Sequence, residues 1–201
     1  MKKIFFGIFS ALLIFFVTAC GNSGENEKSA NAEKVSANAE NKTESKILVA
    51  YFSCTGTTKN LAESAAEILN ADLYEIKPKI PYTSEDLNYS DETTRSTVEQ
   101  KDEKIRPELA DKNANIEKYR TIVIAYPIWW NQEPRIIDTF VESYNFDGKK
   151  ILPISTSGGS DITSSADHLR KIAKGDWKDG KCFMRGYSKD DLKNWLDGQN
   201  L

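Results

Sequence analysis

A short segment in which a strand runs into a helix limits the possible folds of this chain more than any other feature. The apolar run at residues 47–50 leads through Tyr-Phe into the turn Ser53-Cys54-Thr55-Gly56-Thr57-Thr58. A helix that begins at such a turn exposes backbone N–H groups at the positive end of its dipole. The hydroxyl groups add further donors, and Gly56 lets the backbone approach a ligand closely. The segment therefore predicts a phosphate-binding loop in an α/β fold.

Several other phosphate-binding loops do not match this turn. A Walker loop requires Gly-x-x-x-x-Gly-Lys-Ser/Thr and a dinucleotide fingerprint requires Gly-x-Gly-x-x-Gly, whereas the turn contains a single glycine. Nucleoside triphosphates and NAD are therefore disfavoured as ligands. A cysteine phosphatase of the low-molecular-weight type would need an arginine six residues after Cys54, and that position is Asn60. Without the guanidinium group, the charge of the transition state would have no partner.

Two later segments follow apolar runs in the same way. They are Ala125-Tyr126-Pro127-Ile128-Trp129-Trp130-Asn131 and Ser155-Thr156-Ser157-Gly158-Gly159-Ser160. Taken alone, the two tryptophans are typical of a core and the two glycines of an ordinary turn. All three segments nevertheless end strands of one predicted sheet, and an open α/β sheet binds its ligand at the carboxyl ends of its strands. The order of the segments therefore favours one shared site.

Together the three segments resemble the flavodoxin family, in particular flavodoxin-like proteins with the loops Ser-x-Thr-Gly-x-Thr, Tyr-Pro-Ile-Trp-Trp and Ser-Gly-Gly-Ser. The resemblance covers residues 46–201 and implies FMN as the cofactor. It implies that the first loop holds the phosphate and that the other two loops line the isoalloxazine ring. The residues that it nominates are Ser53, Cys54, Thr55, Gly56, Thr57 and Thr58 in the first loop, Pro127, Ile128, Trp129, Trp130 and Asn131 in the second, and Ser157, Gly158 and Gly159 in the third.

The sequence departs from the family pattern at two of these positions. Thr57 stands where asparagine is usual, and Asn131 stands where glycine is usual. Cys54 is expected to contribute only its backbone N–H group. No residue is nominated for acid–base or nucleophilic catalysis, because the chemistry would come from the cofactor.

Strand and helix patterns alternate along residues 46–201, which is typical of a parallel sheet covered on both faces. We predict an α/β, flavodoxin-like, doubly wound sheet of five parallel strands in the order 2-1-3-4-5, because crossovers are right-handed. The predicted strands are 46–52, 73–76, 121–126, 150–154 and 181–186. The predicted helices are 58–69, one that begins near Pro134, 161–173, and a last one capped by Ser188 and Asp191. No second domain is expected.

The charged segment 77–118 is longer than a minimal crossover, and one polar helix is expected within it. It contains Tyr82, Tyr89, Arg95, Arg106 and Glu108. Two interpretations stay open. The segment either covers the flavin and shapes a substrate pocket, or it is a solvated crossover whose tyrosines pack on the sheet.

The N-terminus predicts export and lipidation. Lys2 and Lys3 precede an apolar stretch at 4–19 that is too short to span a membrane and is typical of a signal peptide. The sequence Val17-Thr18-Ala19-Cys20-Gly21 resembles a bacterial lipobox, which implies a diacylated Cys20 as the mature N-terminus. A plain signal peptide with a chance cysteine is the alternative. The predicted domains are the signal peptide 1–19, the lipidated cysteine and disordered tether 20–45, and the flavodoxin-like domain 46–201.

Charge and composition limit the partners. The signal peptide carries two of the 27 basic residues and none of the 30 acidic ones, so the mature chain has a net charge near −5. This charge argues against nucleic acid as a partner. The only histidine, His168, lacks a nucleophile elbow, and no paired ligands stand near Cys54 or Cys182, so neither a hydrolase nor a metal site is expected. A Cys54–Cys182 disulfide is not expected either.

The combined expectation is an FMN-binding protein that a lipid anchor holds on the outer face of the cell membrane. It would act in electron transfer or as a flavin-dependent oxidoreductase, with a donor and an acceptor that the sequence does not identify. Apolar walls and net negative charge would lower the reduction potential of the flavin. The alternative is a surface lipoprotein that binds a flavin or a related ligand without turnover.

Overall fold

A computed structural model describes residues 47–201. The predictions for the signal peptide 1–19, for Cys20 and for the tether 20–45 lie outside the described residues. The strands are β1 (Ile47–Tyr51), β2 (Asp72–Glu75), β3 (Thr121–Pro127), β4 (Lys150–Ser157), β5 (Asp176–Trp177) and β6 (Lys181–Met184). The α-helices are α1 (Thr57–Leu69), α2 (Arg95–Lys101), α3 (Arg135–Glu142), α4 (Thr163–Ile172) and α5 (Lys189–Asp197).

The strands form one parallel sheet in the order β2-β1-β3-β4-β5, which confirms the predicted order. The central strands β1, β3 and β4 are buried along nearly their whole length. They are rich in Ile, Leu and Val because both faces of the sheet are covered by other elements. All carboxyl ends therefore meet at one edge, where the loops that follow β1, β3 and β4 lie together.

The last position of the sheet is divided between two short strands, whereas the sequence pattern predicted a single strand at 181–186. β5 pairs with Lys150 and Ile151 of β4, and β6 pairs with residues 154–157. Pro153 of β4 lies opposite the interruption and has no N–H group to donate to a neighbouring strand. Gly180 packs so closely there that a Cβ atom would lie 2.5 Å from the Pro153 carbonyl oxygen. Backbone pairing therefore stops and restarts around the proline.

Helices cover the two faces of the sheet and bury a separate apolar cluster on each. On one face α1 and α5 pack on β1, β3 and β4, and this cluster includes Leu61, Leu192 and Val123. On the other face α3 and α4 bury a larger cluster that includes Phe140, Leu169 and Ile124. The predicted cap of α5 is present as a capping box between Ser188 and Asp191. This arrangement is a doubly wound α/β fold.

The segment between β2 and β3 contains α2 and two single-turn 3₁₀ helices at Glu85–Leu87 and Ile116–Lys118. Its one α-helix agrees with the expectation, although Ser96, Thr97 and Glu99 of α2 are buried. Within residues 47–201, no helix combines the length and the apolar character needed to cross a membrane.

Candidate functional site

A cavity of about 400 Å³ opens at the carboxyl edge of the sheet. The loops that follow β1, β3, β4 and β6 form its walls, and Leu87 and Tyr89 from the segment between β2 and β3 close one side. The three loops nominated from the sequence therefore meet at one place. A cavity of this size is within the range of small-molecule and cofactor sites.

The loop after β1 provides one end of the cavity with hydrogen-bond donors. Gly56, with φ +88°, precedes the first turn of α1, and no side chain caps that helix. The Gly56 N–H group donates to Ser53 Oγ at 3.1 Å. Thr55 and Thr57 are exposed, and their hydroxyl oxygens lie 3.5 Å apart. An uncapped helix N-terminus beside exposed hydroxyl groups fits an anionic group such as a phosphate.

Thr58 has a different environment from the other hydroxyl residues of this loop. It is buried, and its Oγ1 lies 2.7 Å from Oγ1 of Thr156 on β4. Both threonines line the cavity. The Thr58 hydroxyl group is therefore engaged in a bond that ties the first loop to β4, and it forms part of the cavity floor.

The loop after β3 brings apolar side chains to the cavity. Pro127, Ile128 and Trp129 line it. Trp129 is only 3% exposed, and its ring packs edge-on against Phe52 and Tyr82, with centroids 5.7 and 5.3 Å away. The side chain is thus both a core aromatic and part of the cavity wall.

Four of the nominated residues do not line the cavity in the structure: Gly56, Trp130, Asn131 and Gly159. Trp130 is 43% exposed, and its ring packs on Tyr89 with the centroids 5.0 Å apart. Asn131 Oδ1 accepts a hydrogen bond of 2.6 Å from Ser160 Oγ and so joins the second loop to the third. The Gly159 N–H group donates to Ser157 Oγ at 3.1 Å.

The second loop contains a tight turn from Trp129 to Gln132. Two backbone hydrogen bonds of 2.8 and 2.9 Å join these residues, and Trp130 and Asn131 between them have φ values of +48° and +64°. Positive φ at both central positions favours glycine or asparagine. Asn131 therefore meets the same backbone requirement as the glycine that is usual at this position.

Cavity residues that sequence analysis did not nominate come mainly from the end of β6 and the loop after it. Phe183, Met184, Arg185, Gly186 and Tyr187 line the same cavity as the phosphate loop. These residues lie at the carboxyl end of a strand, which is where ligands bind in open α/β sheets. The strand was identified, but no motif marked the residues that follow it.

Cys54 is an exposed residue of the cavity wall, and the shift in the pKa of its thiol does not favour a nucleophilic thiolate. The protein around the thiol desolvates it and raises its pKa to about 12, and Arg95 lowers that pKa less than burial raises it. A thiol with this pKa is almost wholly protonated at neutral pH. This finding agrees with the sequence argument against a cysteine phosphatase.

A group of buried charged side chains packs beneath the second loop, on α3 and α4. The sequence analysis expected no metal site and did not identify this group. Glu133 contacts His168 on α4, and Arg135 donates to Asp138 at 3.2 Å. The bond to Glu133 raises the pKa of His168. Burial, with the nearby Glu133, raises the pKa of Asp138 to about 8. Gln100 Nε2 donates to the carbonyl oxygens of Trp129 and Glu133 at 2.8 and 3.1 Å.

The chain is similar to known flavoproteins. A sequence model of the flavodoxin family matches residues 46–199. A protein from Bacteroides eggerthii described as a flavoprotein is 45% identical, with a TM-score of 0.72, over 76% of this chain and 96% of that one. Another flavoprotein, from Bacteroides uniformis, is 43% identical, with a TM-score of 0.73. The similarity covers 76% of this chain and 98% of that one. Comparison with curated proteins gave no match.

A flavoprotein from Lactobacillus acidophilus, solved in complex with FMN, shares the fold at 22% identity and a TM-score of 0.54. The similarity covers 76% of this chain and 99% of that one. About three quarters of this chain aligns with almost the whole length of each of these solved relatives. Those relatives therefore fold as chains of about this extent.

Proposed function

The chain belongs to the flavodoxin family, and from that premise we propose that it binds FMN in the cavity and carries electrons at the outer face of the cell membrane. The observation that carries the proposal is the division of the cavity into two chemically different ends. One end has an uncapped helix N-terminus and the hydroxyl groups of Thr55 and Thr57. The other has the apolar surfaces of Pro127, Ile128 and Trp129.

This division matches the two halves of FMN, which has a charged phosphate and a flat aromatic ring. The backbone N–H groups at the start of α1 favour the phosphate, because they lie at the positive end of the helix dipole. The indole of Trp129 and the neighbouring apolar side chains suit the ring. The L. acidophilus flavoprotein, which shares the fold, was solved with FMN. The residues present therefore fit FMN.

Bound FMN would supply one-electron and two-electron chemistry. The side chains of the cavity hold and shield it. The loop after β1 would position the phosphate, and the hydrogen bond that Ser160 donates to Asn131 joins the second and third loops, which would line the ring. Cys54 keeps its proton at neutral pH and contributes no charge to the cavity wall.

The proposed location depends on Cys20 and the tether. A diacyl anchor on Cys20 would hold the protein on the membrane, since two acyl chains are enough for stable attachment. The tether would let the domain range over roughly 25–30 Å from the surface. At that place a membrane redox chain or a neighbouring reductase is a more accessible electron donor than NADPH.

The first test is a titration of residues 46–201 with FMN, followed by absorption and fluorescence. Quenched fluorescence, a shifted spectrum and tighter binding of FMN than of riboflavin are the expected result. Equal affinity for the two flavins would contradict a phosphate-binding role for the first loop. A redox titration of the complex should then give a reduction potential below that of free FMN. A flavin that binds but does not cycle would support a ligand-binding lipoprotein instead.

The anchor has its own test. The full-length chain and its Cys20→Ala variant, produced in a bacterium, should differ in location. The unchanged chain should remain with the membrane fraction and take up labelled fatty acid, and the variant should do neither. Equal membrane association of the two proteins would contradict lipidation at Cys20.

A further inference from the structure

Three side chains from different elements converge beneath the second loop. Glu133 comes from the loop after β3, Asp138 from α3 and His168 from α4. Each presents one ligating atom, and the three atoms lie within 4.8 Å of one another. Nδ1 of His168 contacts Oε1 of Glu133 and lies 3.8 Å from Oδ1 of Asp138. The three atoms therefore surround a single point.

The two carboxylates are fully buried, and each has an oxygen atom without an N–H donor. The side chains of Glu133 and Asp138 have no exposed surface. Within residues 47–201, Oε2 of Glu133 and Oδ1 of Asp138 accept no hydrogen bond from another residue's N–H or O–H group, although the two carboxyl groups themselves lie within hydrogen-bond reach of each other. A buried carboxylate oxygen without a donor is costly. A proton shared between the two carboxyl groups would offset that cost, and so would a divalent cation bound between the three side chains.

The nearby arginines contact the opposite side of Asp138. Nη1 atoms of Arg135 and Arg106 lie 3.2 and 3.5 Å from Oδ2 of Asp138, which leaves Oδ1 free. Arg106 also forms two hydrogen bonds of 2.8 Å with Glu142. These contacts orient the Asp138 carboxylate so that its free oxygen is directed towards His168.

Arg135 is the closest competing cation, because its Nη1 lies 3.7 Å from Oε1 of Glu133. Its guanidinium group also donates to the carbonyl oxygens of Glu99 and Gln100, at 3.4 and 3.3 Å. Both carbonyls belong to the C-terminal end of α2, which carries partial negative charge. Nε and Nη2 of Arg135 therefore bond to α2, and only its Nη1 lies near the two carboxylates.

We propose that Glu133, Asp138 and His168 bind one divalent transition-metal ion of the Zn²⁺ type. One imidazole nitrogen and two carboxylate oxygens are ligands that zinc accepts, and the imidazole favours it over Mg²⁺. Ligands about 2.1 Å from zinc in a tetrahedron lie about 3.4 Å apart. The 3.8 Å between His168 and Asp138 is close to that spacing, whereas His168 Nδ1 and Glu133 Oε1 are in direct contact and must move apart to admit the ion. Three protein ligands leave one position for water, and the 19% exposed His168 side chain provides access.

The ion would join the second loop to the helices below it. Glu133 follows the turn that ends at Gln132, and Gln100 from α2 holds the same turn through two backbone carbonyls. A metal bond from Glu133 to α3 and α4 would therefore fix the loop from the side opposite the cavity. This role does not depend on the identity of the ligand in the cavity.

The test uses untagged residues 46–201, freed of metal with a chelator and titrated with Zn²⁺ by calorimetry. We expect one equivalent per chain and a melting temperature that rises with Zn²⁺. His168→Asn should weaken binding by more than the 10- to 100-fold that loss of an outer-sphere partner costs. Asp167→Asn is the matched control, because Asp167 is the exposed neighbour that pairs with Arg170. That variant should bind Zn²⁺ as the unchanged domain does.

X-ray absorption at the zinc edge then identifies the ligands. We expect nitrogen and oxygen at about 2.0–2.2 Å and no sulfur at about 2.3 Å. A sulfur ligand would place the ion at Cys54 or Cys182 and overturn the proposal. No binding, or equal affinity in His168→Asn, would overturn it as well. The isosteric Glu133→Gln variant repeats the test if circular dichroism shows that His168→Asn does not fold.

Discussion

Oγ1 of Thr58 and Oγ1 of Thr156 lie 2.7 Å apart in the buried floor of the cavity. Thr58 belongs to the first turn of α1, and Thr156 lies near the end of β4. One hydrogen bond therefore connects the proposed phosphate end of the cavity to the strand that supports the proposed ring end.

Thr156→Val should destabilise the domain by about 1–3 kcal/mol, because it leaves the buried Thr58 hydroxyl group without its partner. The double variant Thr58→Val with Thr156→Val should be closer to the unchanged protein, since neither polar group then stays buried. Urea unfolding of the unchanged protein, Thr58→Val, Thr156→Val and the double variant gives the coupling free energy directly. Additive effects of the two substitutions would contradict the proposed bond.

Gly56 and Gly148 provide a matched pair for testing the first loop. Both have positive φ, +88° and +73°, and a Cβ atom on either would have open space around it. Replacement of each by alanine should therefore cost about 1–2 kcal/mol in backbone strain alone. Only Gly56→Ala should also weaken FMN binding, because Gly56 stands between the cavity-lining residues Thr55 and Thr57, whereas Gly148 precedes β4 and has no cavity-lining neighbour in the chain. Equal loss of FMN affinity in both variants would show a general effect of destabilisation.

The turn at Asn131 makes a separate prediction about backbone conformation. Asn131→Gly should change the free energy of unfolding by less than about 1 kcal/mol, because glycine adopts φ +64° freely and only the bond to Ser160 is lost. Asn131→Val should cost about 1–3 kcal/mol, because a β-branched residue is strained there. Ser160→Ala removes the same hydrogen bond without changing the turn and serves as the control. Thermal unfolding of the three variants distinguishes strain from the lost bond.

The sequence predicted the features of this fold that depend on local pattern. The alternation of strands and helices predicted the sheet order, and the spacing of Ser188 and Asp191 predicted the capping box. The three loops at the carboxyl edge could be grouped because the fold itself brings such ends together. The structure describes all three of them around one cavity.

Features that depend on packing between distant segments could not be predicted. To predict the interruption opposite Pro153, one would need to know which residues of β4 face the last strand, and the sequence does not show this. Glu133 and His168 stand 35 residues apart and meet only because α3 and α4 pack side by side. Trp129 is buried and Trp130 is exposed because a tight turn runs from Trp129 to Gln132. No periodicity in the sequence distinguishes the two tryptophans.

The raised pKa of Cys54 predicts slow alkylation with an unusual pH dependence. The thiolate reacts, so a pKa of about 12 keeps the reactive fraction small across the neutral range. In a Cys182→Ser variant of residues 46–201, the rate of reaction with iodoacetamide should still rise about tenfold per pH unit between pH 9 and pH 10. A free thiol with a pKa near 8.5 levels off in that range. Saturation of the rate below pH 9 would contradict the desolvated thiol.

Arg185 should strengthen binding of the phosphate of FMN, since its side chain lines the cavity and no ion pair among the described residues holds it. The domain is acidic overall, so a cation at the cavity offsets the repulsion of a dianionic ligand. Arg185→Gln should therefore weaken FMN binding roughly two- to fivefold, which is the range for an exposed charge pair. Riboflavin, which lacks the phosphate, should bind both proteins equally.

A matched control for Arg185 is Lys189→Gln, which removes the same charge from α5. Lys189 pairs with Glu67 at 2.6 Å and does not line the cavity. Its replacement should leave the FMN affinity within about twofold, because charges outside the cavity are screened at physiological salt. Added salt should reduce the difference between Arg185→Gln and the unchanged protein. If the two variants weakened FMN binding equally, the effect would come from net charge, and Arg185 would have no specific contact with the phosphate.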